Sequence, residues 1–150
     1  MWIDLLERAQ EPLRRHAAAL LRDRRDVDDL VRACLSRALE RMETLNPQTD
    51  ARTWLLSIMH DLLARRAWRA RMRRANASAR PGNCTNQSSD LYQLSYKQRA
   101  VLLLVTIEDL PYPEVARVMG IPVAQVMSLL AEGRERLRLL AEDTAMREAR

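Results

Sequence analysis

Two stretches of this chain carry residue types at a spacing that could do chemistry. In the first, Arg65, Arg66, Arg69, Arg71, Arg73 and Arg74 follow one another with Trp68 among them, and no acid stands between Asp61 and the end of the run. A solvated helix face normally mixes signs. An unmixed basic face suits phosphate oxygens, whose contacts add affinity and salt dependence without reading sequence. The second stretch, Pro113 to Leu137, reads PEVARVMGIPVAQVMSLLAEGRERL. As two helices joined at Gly120, it places small Ala116 at the crossing, Gly120 where a turn wants positive φ, and Val126 and Leu130 on an inner face. Pro113 and Pro122 stand where a first-turn proline loses no hydrogen bond, so both helix starts are marked. This is a helix-turn-helix pattern, whose second helix can enter a major groove. The plain alternative is a helical hairpin packed in a bundle.

Other chemistries find little support. His16 stands alone beside an apolar face, with no second His or Cys at ligand spacing, and reads as a packed or surface residue. Cys34 on an apolar face and Cys84 in a polar stretch suggest neither a disulfide nor a metal cluster. Without a phosphate-cradling glycine loop or a nucleophile with its base, no catalytic residue is expected, and neither is a cofactor.

The elements that must position these residues are all helical. Only three Gly in 150 residues, 47% hydrophobic and 30% charged composition and no long alternating apolar run predict an all-α fold. The longest unbroken apolar stretches, Ala17 to Leu21 and Val101 to Val105, are too short to span a bilayer. Asp4, Glu7 and Arg8 stand where a signal peptide would be apolar, so a cytoplasmic chain without membrane insertion is expected. The net charge of +5 is uneven, since residues 1–74 hold 16 Arg against 11 acids and residues 75–150 hold nine of each sign.

A first clear helix is expected from Glu11 to Arg22, with a shorter segment before Pro12. Asp26 is expected to cap a second, with Val27, Leu30, Val31, Cys34, Leu35, Ala38, Leu39 and Met42 at helical period. After the break at Asn46 to Thr49, Asp50 caps a third helix carrying Trp54, Leu55, Ile58 and Leu62 inside and ending in the arginine run. Ala75 to Asp90 is rich in Asn, Ser and Ala without apolar period and reads as a flexible linker of about 22 Å reach. Ser95 to Gln98 has capping-box spacing before the apolar run to Val105, giving a further helix for the helix-turn-helix to pack on. The division expected is therefore a first domain at 1–74, a linker at 75–92, a second domain at 93–142 and a fraying tail at 143–150.

Two blocks resemble one family. Leu94 to Leu140, with QRAVLLL, the Pro-Tyr-Pro-Glu-Val-Ala run, GIPV and RERL in order, resembles the promoter-reading C-terminal domain of bacterial extracytoplasmic-function sigma factors. RDRRDVDDLVRACLSRALERMETLNPQTDARTWLLSIMHDLLARRAWR is similar to the sigma region that grips core RNA polymerase and the minus-ten element. The resemblance implies two small domains, a region 2-like bundle and a region 4-like helix-turn-helix, with core RNA polymerase, promoter DNA and an anti-sigma factor as partners. It puts core binding on Asp28, Asp29, Leu30 and Arg37. Minus-ten strand binding falls on Asn46, Arg52, Arg65, Arg66 and Arg69, and minus-35 contacts on Ala124, Gln125, Ser128 and Arg134. The chain departs from the family at Arg32-Ala33, usually Gln-Glu, at Asp61, usually Asn, and at Met127 and Leu129, usually basic. Losing two guanidinium groups predicts weak minus-35 affinity. Met127 and Leu129 also raise an alternative, a sigma-like module whose patch binds an anti-sigma factor without promoter recognition.

Overall fold

The computed structural model describes residues 2–21, 23–76 and 93–150, the side chains of 67–76 excepted. Trp68, Arg69, Arg71, Arg73 and Arg74 as side chains, most of the expected linker, and Cys84 lie outside the described residues. The described residues form six α-helices, α1 (Trp2–Leu20), α2 (Arg24–Glu40), α3 (Ala51–Asn76), α4 (Tyr96–Thr106), α5 (Tyr112–Met119) and α6 (Val123–Glu148), and no strand. The chain divides into two compact units, Met1–Asn83 and Cys84–Arg150.

In the first unit α2 packs on both α1 and α3, and α1 touches α3. The helix starts differ from the expected ones. α1 runs through Pro12 as one helix: the ring costs a hydrogen bond and crowds the carbonyl of Arg8, and the helix is kept by the face it buries on both sides, with Leu6 before the proline and Leu13 after it. The cap of α2 is Asp23, not Asp26, its side chain accepting from the Arg25 N–H at 2.9 Å, which leaves Asp26 inside the first turn. Leu39, expected inside, is exposed at the end of α2. Asp50 does cap α3, meeting the N–H groups of Arg52 and Thr53 at 3.4 Å and the Thr53 hydroxyl at 3.1 Å. The core joins Leu13, Ala17 and Leu20 to Val27, Val31, Cys34 and Ala38 of α2 and to Leu55, Ile58 and Met59 of α3. Cys34 donates its S–H to the Leu55 carbonyl at 3.4 Å.

In the second unit α4 packs along α6, with α5 set across both. The Ser95–Gln98 capping box is formed in both directions, at 3.2 and 3.3 Å. Gly120 takes φ 65°, and the axes of α5 and α6 turn by 99° across it, an angle typical of a helix-turn-helix. Pro113, the second residue of α5, lies in its first turn as expected, and Pro122 stands one place earlier, as the N-cap of α6. Val126 and Leu130 are core, as expected. Gly133 adds a close approach that spacing did not suggest, since a Cβ there would lie 2.9 Å from the Leu102 Cδ1. The expected tail is helical to Glu148, held by Arg138 to Glu135 and Glu142 and by Arg147 to Asp143 at 3.1 Å.

Candidate nucleic-acid and partner interfaces

α2 and α3 together form a groove of about 350 Å³, lined by Asp29, Leu30, Ala33, Arg37, Leu62, Arg65 and Arg66. Residues that the family resemblance splits between polymerase binding and minus-ten binding thus share one surface. Helical spacing explains this: Leu30, Ala33 and Arg37 repeat every three or four positions along α2, as do Leu62, Arg65 and Arg66 along α3. Leu30 is only 2% exposed, so it is a core residue that shapes the groove floor and not a surface contact. Arg37 is half-buried, and its Nε is sequestered without a hydrogen-bond partner.

The basic face is not free of acids, which corrects the expectation from sequence. Arg65 pairs with Asp61 one turn back at 3.3 Å, and Arg66 reaches across to Asp26 on α2 at 3.7 Å. Asp28 is also engaged, by Arg14 of α1. Asp29 stays exposed at the rim. Asn46 is exposed and uses its own Oδ1 to accept from the Gln48 N–H at 3.0 Å, which shapes the turn before α3. Arg52, exposed in the first turn of α3, lies about 20 Å along the helix from Arg65, so the minus-ten set is spread over that length.

On α6, Ala124, Gln125, Ser128 and Arg134 are all exposed. At about 100° per residue, Ala124 and Ser128 fall opposite Val126 and Leu130, Gln125 on one flank, and Met127 with Arg134 on the other. Ser128 gives its hydroxyl hydrogen to the Ala124 carbonyl at 3.1 Å. Met127 is 54% exposed beside Val123 at 40%, whereas Leu129 is partly tucked in.

A buried polar pair escaped the reading of the sequence. His16 of α1 and His60 of α3 are each 2% exposed, with their Nε2 atoms 2.9 Å apart and rings edge-on at 77°. One ring donates to the other, and no group of three ligand-type side chains forms a metal cluster among the described residues. Their 44-residue separation left no local signal. Burial pushes the Cys34 thiol up to about 12 and keeps it protonated. No single helix among the described residues is long and apolar enough to cross a membrane.

Comparisons place this geometry among known proteins. Residues 7–60 match the family model described as the Sigma2 domain of PhyR, and residues 91–137 match Sigma-70, region 4. The chain is 31% identical over 138 residues to the ECF RNA polymerase sigma factor SigC of Mycobacterium tuberculosis, spanning 83% of this chain and 75% of that one. Among solved structures, the sigma factor RpoE of Bartonella quintana, in complex with the anti-sigma factor NepR, superposes with a TM-score of 0.79 at 18% identity, over 94% of this chain and 96% of that. CnrH, in complex with the cytosolic domain of CnrY, superposes at 0.70 with 25% identity, over 93% and 86%.

Proposed function

The chain belongs to the extracytoplasmic-function RNA polymerase sigma factors, and we propose that its two units divide promoter recognition between them. The observation that carries this is the 31% identity to a named sigma factor across both units. In the first unit, the acidic start of α2, with Asp28 and Asp29, and Arg37 face core polymerase. Arg52, Arg65, Arg66 and Arg69, with Asn46, hold the melted minus-ten strand through phosphate contacts. In the second unit the first turns of α6 enter the minus-35 major groove, where Gln125 and Arg134 supply hydrogen-bonding side chains and Ala124 and Ser128 a close, small face. Met127 and Leu129 supply no charge, so this arm holds DNA weakly and the sigma factor leans on polymerase and the minus-ten strand. Such a protein works in the cytoplasm, beside polymerase, and is held there by an anti-sigma factor.

Run-off transcription with purified core polymerase tests this: promoter-dependent product supports it, and no product from any promoter overturns it. Exposed Met127 and Val123 favour one second reading, a sigma-like module that captures an anti-sigma factor without reading promoters. Tight anti-sigma binding with no transcript is its signature. Met127→Arg with Leu129→Arg separates the two, weakening protein capture in the second reading and strengthening minus-35 binding in the first.

A further inference from the structure

Two of the arginines assigned to the minus-ten strand, Arg65 and Arg66, are not waiting open for phosphate. Arg65 Nη2 lies 3.3 Å from Asp61 Oδ2, and Arg66 Nη2 lies 3.7 Å from Asp26 Oδ1. Arg66 also donates through Nη1 to the backbone carbonyl of Asp26 at 3.5 Å, so this link ties the first turn of α2 to α3 across 40 residues of chain. All four side chains are about half exposed, so a phosphate can reach either guanidinium from solvent. It then competes with a carboxylate already paired with that guanidinium, and it meets that carboxylate's charge as it approaches.

We propose that Asp26 and Asp61 are positioning residues that set the nucleic-acid affinity of α3, by holding Arg66 and Arg65 in ion pairs with which a phosphate must compete. This rests on the reading of α3 as a nucleic-acid face. The two acids act differently. Asp61 stands one turn from Arg65 on the same helix and simply neutralises it. Asp26 stands on α2 and draws Arg66 toward the groove that α2 and α3 share, so it sets where the guanidinium points as well as its net charge. An exposed pair of this kind shifts an equilibrium by up to about fivefold, so the pair of acids adjusts affinity and does not block binding.

The test is fluorescence anisotropy of a labelled single-stranded oligonucleotide with the full chain at several salt concentrations. Asp26→Asn and Asp61→Asn are measured alone and together, in the wild-type and in the Arg65→Ala/Arg66→Ala background, with Glu7→Gln on α1 as a charge control and thermal melts as the check on folding. The expected result is a gain of up to about fivefold for each acid at low salt, fading at high salt. Little gain is expected from Glu7→Gln, and none from the acid variants once both arginines are gone. A gain that persists without the arginines, or equals that of Glu7→Gln, would reflect bulk charge and overturn the proposal. If removing the arginines weakens binding but the acid variants gain nothing, the proposal falls and the nucleic-acid reading stands. If removing them changes nothing, both fall. Asp61→Asn, a solvent-facing change within α3, carries the test by itself should Asp26→Asn disturb the first turn of α2.

Discussion

The two units are held together by different means. In the first, polar side chains bridge separate helices: His16 to His60, Arg66 to Asp26, Arg14 to Asp28, and the Cys34 thiol to the Leu55 carbonyl. In the second, Arg117 to Glu114, Arg138 to its two acids and Arg147 to Asp143 pair within single helices, Gln98 of α4 donates to Glu132 of α6 at 3.2 Å, and the buried side chains are mainly apolar, among them Val101, Leu104, Val115, Val126 and Leu130. The buried partners among these, His16 with His60 and Cys34 with the Leu55 carbonyl, must be placed closely, whereas an apolar core tolerates small adjustments. The difference is open to measurement because all three Trp, at 2, 54 and 68, lie in the first unit. Tryptophan fluorescence therefore follows one unit and far-ultraviolet circular dichroism follows both.

The largest expected effect is on the apolar unit. Leu104→Ala removes a fully buried side chain and should cost about 2–5 kcal/mol, comparable to the whole stability of so small a core. The dichroism signal should lose its second-unit transition while the tryptophan midpoint stays in place. Midpoints that fall together would show that the two units unfold as one.

Next is the polar bridge of the first unit. His16→Leu deprives the buried His60 ring of a hydrogen bond and should cost about 1–3 kcal/mol, read by tryptophan fluorescence in urea. His16→Leu with His60→Leu should cost less than the two single changes summed, because the second removes a group already left wanting. Strict additivity would mean that the rings do not support one another.

Gly120→Ala tests the local kind of order. A Cβ there meets nothing within 4 Å, so the cost is that of a left-handed backbone alone, about 1–2 kcal/mol, and Gly120→Asn should lose less. It should move the dichroism transition of the second unit only. An unchanged midpoint would mean that the turn relaxes out of positive φ.

The same division explains what could be read from the sequence. Gly120, Ser95 with Gln98, and the Val126/Leu130 face are devices completed within a few residues, so spacing alone located them. The Asp23 cap was missed because Asp26, Asp28 and Asp29 compete for the same role, and only backbone geometry selects among them. In the candidate interfaces, residue types were legible and their pairings were not. Arg66 finds Asp26, and His16 finds His60, across 40 and 44 residues, and no periodicity records such a meeting. Leu30 was assigned to a surface although its period already put it with Val27, Val31 and Cys34 in the core.

The smallest effect separates the units by pH. Cys34 has its thiol raised from an ordinary 9.0 to about 12 by burial, and Tyr96, in the second unit, has its phenol raised above an ordinary 10.0 by burial, with Arg99 opposing. In each case the unfolded chain ionises first and holds fewer protons than the fold. Stability is therefore complete below the ordinary value and is lost as pH climbs toward the raised one. The first unit contains neither Tyr nor Lys, which leaves Cys34 as its side chain that titrates between pH 9 and 12. At pH 9.5 the loss is about 0.8 kcal/mol for the first unit and about 0.2 for the second. The tryptophan midpoint in urea, under reducing conditions, should thus begin to fall about one pH unit before the dichroism transition of the second unit. Cys34→Ala should be less stable at neutral pH, for its cavity, but flat across this range. A wild-type first unit that stays flat would show that the thiol ionises as readily in the fold as in the unfolded chain, and a Cys34→Ala variant that still falls would assign the loss to another group.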